Sequence, residues 1–312
     1  VALALSGCAG GETTSPAGTE EKLNVVVAFY PLQYLAETIG SDAVQVINLT
    51  TPGTEPHDLE LAPKQVASLS KADLVIYQKG FQSQVDDAIE QQNPKNIIDV
   101  AELVELIPFD KKGHGHDGDH EKHKGKEGHK KDHEQHHHGA FDPHIWQDPT
   151  NMVKIANEIG TKIAELKKSD ADQILAATKK LTADLNKLDE DYKIGLSNCK
   201  TKEFITSHAA FGYLAKRYGL HQIGISGLSP EAEPSPARIA EIHKLAKKHQ
   251  VSTIFYETLA SPAVAKSIAG DLGLKTDVLD PLEGLNKDSL GKNYLEIMQS
   301  NLKALKTANG CS

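Results

Sequence analysis

The sequence has 312 residues, of which 39% are hydrophobic and 25% charged, a balance typical of a globular protein with two domains. Its net charge of −9 argues against nucleic acid as a partner, because neutralising phosphates requires a basic surface. We find no apolar run of about 18 residues or more and therefore expect no helix that spans a bilayer. Histidine is unusually frequent, with 15 residues against one tryptophan.

The first residues end in Leu5-Ser6-Gly7-Cys8 after a short apolar run, which resembles the bacterial lipobox. We therefore expect export, cleavage before Cys8, lipidation at Cys8 and a flexible tether within residues 1–22. The alternative is a signal peptide cut elsewhere, with Cys8 incidental. Both alternatives place the protein in the periplasm or another extracytoplasmic compartment, where Cys199 and Cys311 could form a disulfide.

Short strand-type runs alternate with amphipathic stretches in two parts of the chain, 23–149 and 196–312. The predicted strands are 24–30, 43–50, 74–78 and 96–100 in the first part, and 204–207, 222–226, 253–257 and 275–279 in the second. The predicted helices are 31–39, 63–70, 81–92, 211–218, 236–249, 262–272 and 292–307. This alternation predicts an α/β protein with two lobes, each containing a mainly parallel four-stranded sheet flanked by helices.

Residues 150–195 show only helical periodicity. Asp170, with Gln173 three residues later, resembles a capping box and predicts that a new helix begins at Ala171. A helix of about 24 residues would extend about 36 Å, enough to join both lobes. The alternative is an ordinary surface helix pair with a turn at 168–170.

The segment 111–139 consists mainly of His, Lys, Asp, Glu, Gly and Gln, a composition that predicts disorder. Neutral imidazoles suit zinc, copper or nickel, and we expect weak secondary metal sites in this segment. The nine candidate ligands are His114, His116, His120, His123, His129, His133, His136, His137 and His138.

Four other residues are expected in loops at the carboxyl ends of strands, where ligand sites of α/β sheets form. These residues are His57, His144, His208 and Asp280. Together they offer three imidazoles and one carboxylate, a tetrahedral zinc set. Asp280 is the least certain member, because Glu257 or water could supply the fourth ligand. Glu60, three residues after His57, is expected to orient the His57 ring.

The chain resembles the metal-specific solute-binding proteins of bacterial ABC uptake systems, and within them the high-affinity zinc-binding branch. The segments that carry the resemblance are FYPL at 29–32, GTEPHDLE at 53–60, DPHIW at 142–146, TSHAAFGYLA at 206–215 and GLSPEAEPSP at 227–236. The resemblance implies two α/β lobes joined by one long helix, with the metal between them. It implies the ligand role for His57, His144, His208 and Asp280. An acidic, His-rich insertion before the second ligand motif is another mark of the zinc branch.

The implied function is capture of Zn²⁺ as the transported ligand and its delivery to a cognate ABC permease in the inner membrane. Manganese members of the family tend to have a carboxylate where this chain has His208, which favours zinc here. We expect a monomer that is attached to the membrane through Cys8 and is not an enzyme. Two alternatives remain at this point: a zinc buffer or sensor acting through 111–139, and a zinc hydrolase with Glu60 as general base.

Overall fold

The computed structural model describes residues 21–109 and 141–312, and it forms two α/β lobes. In the first lobe the strands are Leu23–Val27 (β1), Val44–Asn48 (β2), Leu74–Tyr77 (β3) and Ile97–Asp99 (β4). The helices of this lobe are Tyr30–Gly40 (α1), Pro63–Leu69 (α2) and Ser83–Gln92 (α3). Cys8 and the segment 111–139 lie wholly outside the described residues, so the expectations for both stay predictions.

Two long helices follow, Pro149–Leu166 (α4) and Ala171–Leu196 (α5). The strands of the second lobe are Glu203–Thr206 (β5), His221–Gly224 (β6), Thr253–Tyr256 (β7) and Lys275–Val278 (β8). Its helices are Gly212–Tyr218 (α6), Pro236–Lys248 (α7), Ala263–Leu272 (α8) and Tyr294–Asn309 (α9). Among the described helices, none is both long and apolar enough to cross a membrane.

Both sheets are parallel throughout and share one strand order. The first is ordered β2-β1-β3-β4 and the second β6-β5-β7-β8. All of β3 and residues 25–27 of β1 are apolar and buried, as expected for a sheet covered by helices on both faces. The predicted architecture is confirmed, and the carboxyl ends of the strands are the edges from which the ligand loops depart.

The long helix α5 joins the two lobes. It packs against α1 and α4 on the side of the first lobe and against α6 and α9 on the side of the second. The crossing with α4 is close, because a Cβ atom on Gly160 would overlap the side chain of Thr178. One apolar core extends from β1 through α4 and α5 to α9. The prediction of a long helix that contacts both lobes is therefore confirmed.

The predicted capping box at the start of α5 is wrong. Asp170 belongs to a 3₁₀ turn, Lys168–Asp170, and its backbone is not extended, so its carboxylate caps no backbone N–H of the helix. Instead the carboxylate accepts a hydrogen bond from the Ser169 hydroxyl and pairs with Lys167.

The structure joins Cys199, which precedes β5, to Cys311, which follows α9, in a disulfide across a sequence separation of 112 residues. This bond ties the C-terminus to the amino-terminal edge of the second sheet. The expected ligand loops leave the opposite edge.

We expect replacement of both cysteines by serine to lower the free energy of unfolding by about 2–4 kcal/mol, because the bond restricts the unfolded chain. Affinity for the expected metal should not change, since the bond and the expected ligand loops are at opposite edges of the sheet. Chemical denaturation of both proteins measures the first effect and a chelator competition the second. An unchanged denaturation midpoint would contradict a stabilising role for this disulfide.

Candidate metal centre

Three of the predicted ligands meet between the lobes. His57 lies in the loop after β2, His144 lies just before α4, and His208 follows β5. A fourth residue, Glu283 in the loop after β8, completes the group, and one ligand atom from each residue lies within 4.8 Å of all the others. His57 and His144 come from the first lobe and His208 and Glu283 from the second, so the group exists only where both lobes contribute.

The distances within the group match the edges of a zinc tetrahedron. The Nε2 atoms of the three histidines lie 3.2, 3.1 and 3.2 Å from Oε1 of Glu283, in chain order. The Nε2 atoms of His57 and His144 are 3.3 Å apart. Four ligands at 2.0–2.1 Å from a tetrahedral zinc ion would be about 3.3 Å from one another. Four of the six edges between the donor atoms thus match a zinc tetrahedron, and the remaining two, from His208 to the other two histidines, are at most 4.8 Å.

The site is closed to solvent. The side chains of His144 and Glu283 are 0% exposed, that of His208 is 1% exposed and that of His57 is 10% exposed. Aromatic rings line one side: the Phe81 ring contacts the His57 ring edge-on, and the Trp146 ring packs against the His144 ring. A buried ion in these surroundings would exchange its water shell for protein ligands.

Asp142 orients His144. One carboxylate oxygen of Asp142 accepts hydrogen bonds from the backbone N–H of His144, at 3.0 Å, and from Nδ1 of its ring, at 2.7 Å. When the His144 ring is neutral with its proton on Nδ1, Asp142 accepts a hydrogen bond from that N–H and the lone pair of Nε2 faces the centre of the group. This carboxylate–histidine arrangement is the usual support of a metal-binding histidine.

Glu257 orients His208 in the same way. Its Oε1 atom lies 2.8 Å from Nδ1 of His208, so this carboxylate contacts the ring nitrogen on the side away from the group. Glu257 was the rival candidate for the fourth ligand. The structure places it behind His208 instead, as the counterpart of Asp142.

Asp280 lies outside the group, which corrects the prediction for the fourth ligand. Its Oδ1 atom accepts the backbone N–H of Leu282 at 2.8 Å, and its Oδ2 atom accepts the Thr258 hydroxyl at 3.2 Å. Both oxygens are therefore used in holding the loop. Leu282 has a φ of 62°, a left-handed conformation that turns the chain and brings Glu283 to the site.

Glu283 could not be distinguished from Asp280 in the sequence, because both carboxylates follow the same strand three residues apart. The only available signal was this closely spaced carboxylate pair around Pro281 and Leu282. Which of the two reaches the site depends on the backbone turn at Leu282, and leucine seldom adopts that conformation.

The expected role of Glu60 is also wrong. Glu60 is exposed, and within residues 21–109 and 141–312 no hydrogen bond joins it to His57. The carboxylate that accepts the backbone N–H of His57 is Glu55, whose two oxygens lie 3.1 and 3.3 Å from that nitrogen. Burial, followed by the charge of Glu283, raises the pKa of Glu55 to about 8.

The electrostatics of the metal-free site follow from the buried charge of Glu283. Burial opposes ionisation of this carboxylate, but His208, His144 and His57 outweigh burial and hold its pKa well below the usual range. Burial alone would lower the pKa of His208, but Glu257 and Glu283 raise it well above 6.5. Burial likewise opposes the charge on His144, yet Asp142 and Glu283 raise its pKa. Burial lowers the pKa of His57.

Comparison with known proteins gives the family of the chain. A family model described as zinc-uptake complex component A, periplasmic, or ZnuA, matches residues 25–308. The chain belongs to this family. Members of this family are components of a zinc-uptake complex and not enzymes, which agrees with the expectation for this chain.

Two relatives from this family are similar to the chain over most of the chain's length. The high-affinity zinc uptake system protein ZnuA of Bacillus subtilis is 37% identical over 310 residues, which cover 97% of this chain and 93% of that protein. The zinc-binding lipoprotein AdcA of Streptococcus pneumoniae serotype 4 is 38% identical over 295 residues. That alignment covers 91% of this chain but 55% of AdcA, so the chain spans about half the length of this relative.

The fold is also that of solved members. The Zn(II)-bound ZnuA-like domain of Streptococcus pneumoniae AdcA has 34% sequence identity and a TM-score of 0.74, with 93% of this chain and 99% of that domain covered. That neighbouring structure is zinc-bound. Three imidazoles and one carboxylate in the present chain are the ligand types that zinc prefers.

The raised pKa values of His144 and His208 predict that zinc binding depends on pH. In the metal-free protein the neighbouring carboxylates favour the protonated form of both rings, and zinc must displace a proton from Nε2 wherever a ring is charged. Since the pKa of His208 lies well above 6.5, we expect the apparent affinity to begin falling above that pH and to keep falling as the pH decreases.

Chelator competition from about pH 8.5 to about pH 5.5 measures this dependence, after correction for the chelator's own protonation. Calorimetry in buffers of different ionisation enthalpy counts the protons released. An affinity that stayed constant down to about pH 6, with no proton release, would contradict the described charge arrangement.

Proposed function

We propose that the chain captures Zn²⁺ in the cleft between its lobes, at His57, His144, His208 and Glu283, and delivers it to an ABC permease in the inner membrane. The observation that carries the proposal is the convergence of four ligand atoms from both lobes within 4.8 Å of one another, with three histidine Nε2 atoms 3.1–3.2 Å from Oε1 of Glu283. The family match and the zinc-binding relatives support the same function. Attachment through a lipidated Cys8 would keep the protein near that permease, and the word lipoprotein in the name of AdcA supports such an anchor.

The ligand set accounts for zinc as cargo. Imidazole nitrogen suits Zn²⁺, whereas Mn²⁺ favours carboxylate oxygen, and three of the four donors here are imidazoles. One carboxylate and three neutral imidazoles around a divalent cation leave a charge of about +1. Asp142 and Glu257, which contact the rings of His144 and His208 from behind, would offset that charge and make both rings better donors.

A zinc hydrolase fits the described residues poorly. A catalytic zinc keeps one position open for water, whereas here the Glu283 carboxylate joins the three histidines and would supply a fourth protein ligand. Glu60, the candidate general base, is exposed and does not contact the group. The geometry therefore favours binding and release over catalysis at this centre.

The His-rich segment 111–139 provides the competing proposal, a zinc buffer or sensor. We expect a variant lacking residues 112–138 to keep one tight zinc site and His208→Ala to lose it, because His208 supplies a ligand between the lobes. The matched control is His221→Ala, whose ring is exposed on the second lobe away from the group. Competition with a chromophoric chelator measures all three. If the tight site disappeared with the segment and persisted in His208→Ala, the buffer function would replace this proposal.

Delivery of zinc in cells should depend on the same four residues. We expect Glu283→Ala to weaken zinc binding more than about 100-fold, since the loss of residues that merely support ligands costs 10–100-fold. Uptake of radioactive zinc from chelated medium should fall accordingly, while Glu60→Ala, at an exposed carboxylate, should take up zinc like the wild type. Full uptake with Glu283→Ala would contradict the proposed site.

A further inference from the structure

The short 3₁₀ turn Ile145–Gln147 directly after His144 is bonded to the second lobe. The indole Nε1 of Trp146 donates to the backbone carbonyl of Pro281 at 2.7 Å, and Nε2 of Gln147 donates to the same carbonyl at 2.5 Å. In return, the hydroxyl of Tyr294 donates to the backbone carbonyl of Trp146 at 2.6 Å. We call Trp146, Gln147, Pro281 and Tyr294 the interlobe clamp. The side chains of Trp146, Gln147 and Tyr294 are at most 1% exposed.

The acceptor of the clamp belongs to the loop that carries Glu283. On one side of Pro281, the side chain of Asn301 holds the backbone of Asp280. Oδ1 of Asn301 accepts a hydrogen bond from the Asp280 N–H at 2.9 Å, and Nδ2 of Asn301 donates to the Asp280 carbonyl at 2.7 Å. On the other side, Leu282 donates its N–H to the Asp280 carboxylate and adopts its left-handed conformation. Every residue from Asp280 to Leu282 is thus fixed, and Glu283 follows directly.

Gln147 shows what the clamp adds beyond packing. It is completely buried, and its Oε1 atom has no hydrogen-bond partner within the described part of the chain. An unpartnered buried polar atom is unfavourable, and an apolar side chain of similar length would fill the same space without it. The favourable contribution of this side chain is therefore the hydrogen bond that its Nε2 donates to Pro281.

We infer that Trp146 and Gln147 are positioning residues for Glu283, which they fix from the opposite lobe through the carbonyl of Pro281. The clamp keeps Glu283 of the second lobe 3.1 Å from Nε2 of His144 in the first lobe, at coordination distance before an ion arrives. A preorganised ligand loses less entropy on binding, so the clamp increases zinc affinity. The inference rests on the proposed zinc site. It adds Trp146 and Gln147, whose side chains donate to the Pro281 carbonyl and not to the side chains of the four proposed ligands.

The test is a double-mutant cycle between Gln147→Met and Glu283→Ala in the full chain, with zinc affinity measured by chelator competition. Trp146 is the only tryptophan of the chain, and its ring centroid lies 5.3 Å from that of His144, so its fluorescence reports this site separately from the His-rich segment. Methionine keeps the length of glutamine and removes both the donor and the unpartnered Oε1. The fold should therefore tolerate the change, and a thermal melt verifies this.

We expect Gln147→Met to weaken zinc binding about tenfold when Glu283 is present and less than about twofold in the Glu283→Ala background. Tyr294→Phe, which removes the hydrogen bond to Trp146, should weaken binding in the same direction. The matched control is Tyr192→Phe, which removes an equally buried hydrogen bond to the carbonyl of Met298 between α5 and α9, away from the site. This control should lower the melting temperature and leave zinc affinity unchanged.

Equal weakening by Gln147→Met in both backgrounds would overturn the inference, because the residue would then act on the fold rather than through Glu283. Undiminished affinity in Gln147→Met would overturn it as well. If Glu283→Ala alone left affinity unchanged, the proposed site would fail together with the clamp. If Glu283→Ala weakened binding and Gln147→Met did not, the site would stand and only the clamp would fail.

Discussion

The carboxylate of Glu283, buried among three histidine rings, is the interaction on which the rest of the site depends. A buried charge is strongly unfavourable unless a partner compensates it. In the metal-free protein the raised pKa values of His208 and His144 favour their protonated forms, which compensate this charge. In the zinc-bound protein it would come from the ion itself. Zinc binding at the proposed site would therefore exchange protons for a divalent cation.

The fold brings these donors together. Both sheets have the same parallel order, and the carboxyl edges of the two sheets carry the ligand loops. The helix α5 contacts both lobes, and the apolar core continues from one lobe to the other through α4 and α5. The clamp adds hydrogen bonds across the boundary next to the site itself. The apolar core around α4 and α5 and the hydrogen bonds of the clamp thus act together. They hold the four residues of the site, which come from distant parts of the sequence, at coordination distance.

Local patterns were sufficient to predict the strands, the long helix and three of the four residues that meet between the lobes. Alternation of apolar runs and amphipathic stretches identified the parallel sheets, and the position of His57, His144 and His208 after strands or before a helix identified the imidazoles. Each of these features depends on a few neighbouring residues. The family resemblance added the expectation that these segments belong to one metal site.

The remaining errors arose where the answer depends on backbone conformation or on contacts between distant segments. The choice of Glu283 over Asp280 depends on a left-handed Leu282 that no sequence period reveals. The carboxylates that orient His144 and His208 are Asp142, two residues away, and Glu257, from another strand, whereas Glu60 was chosen by spacing alone. Asp170 failed as a cap because it lies in a 3₁₀ turn.

X-ray absorption spectroscopy at the zinc edge, on the full chain loaded with one equivalent of zinc, tests the central claim most directly. The account predicts a four-coordinate ion with three imidazole nitrogens and one carboxylate oxygen at about 2.0–2.1 Å, and one imidazole fewer in His208→Ala. A spectrum with four imidazoles and no carboxylate, unchanged in His208→Ala, would contradict it, because the ion would then be bound outside the group formed by His57, His144, His208 and Glu283.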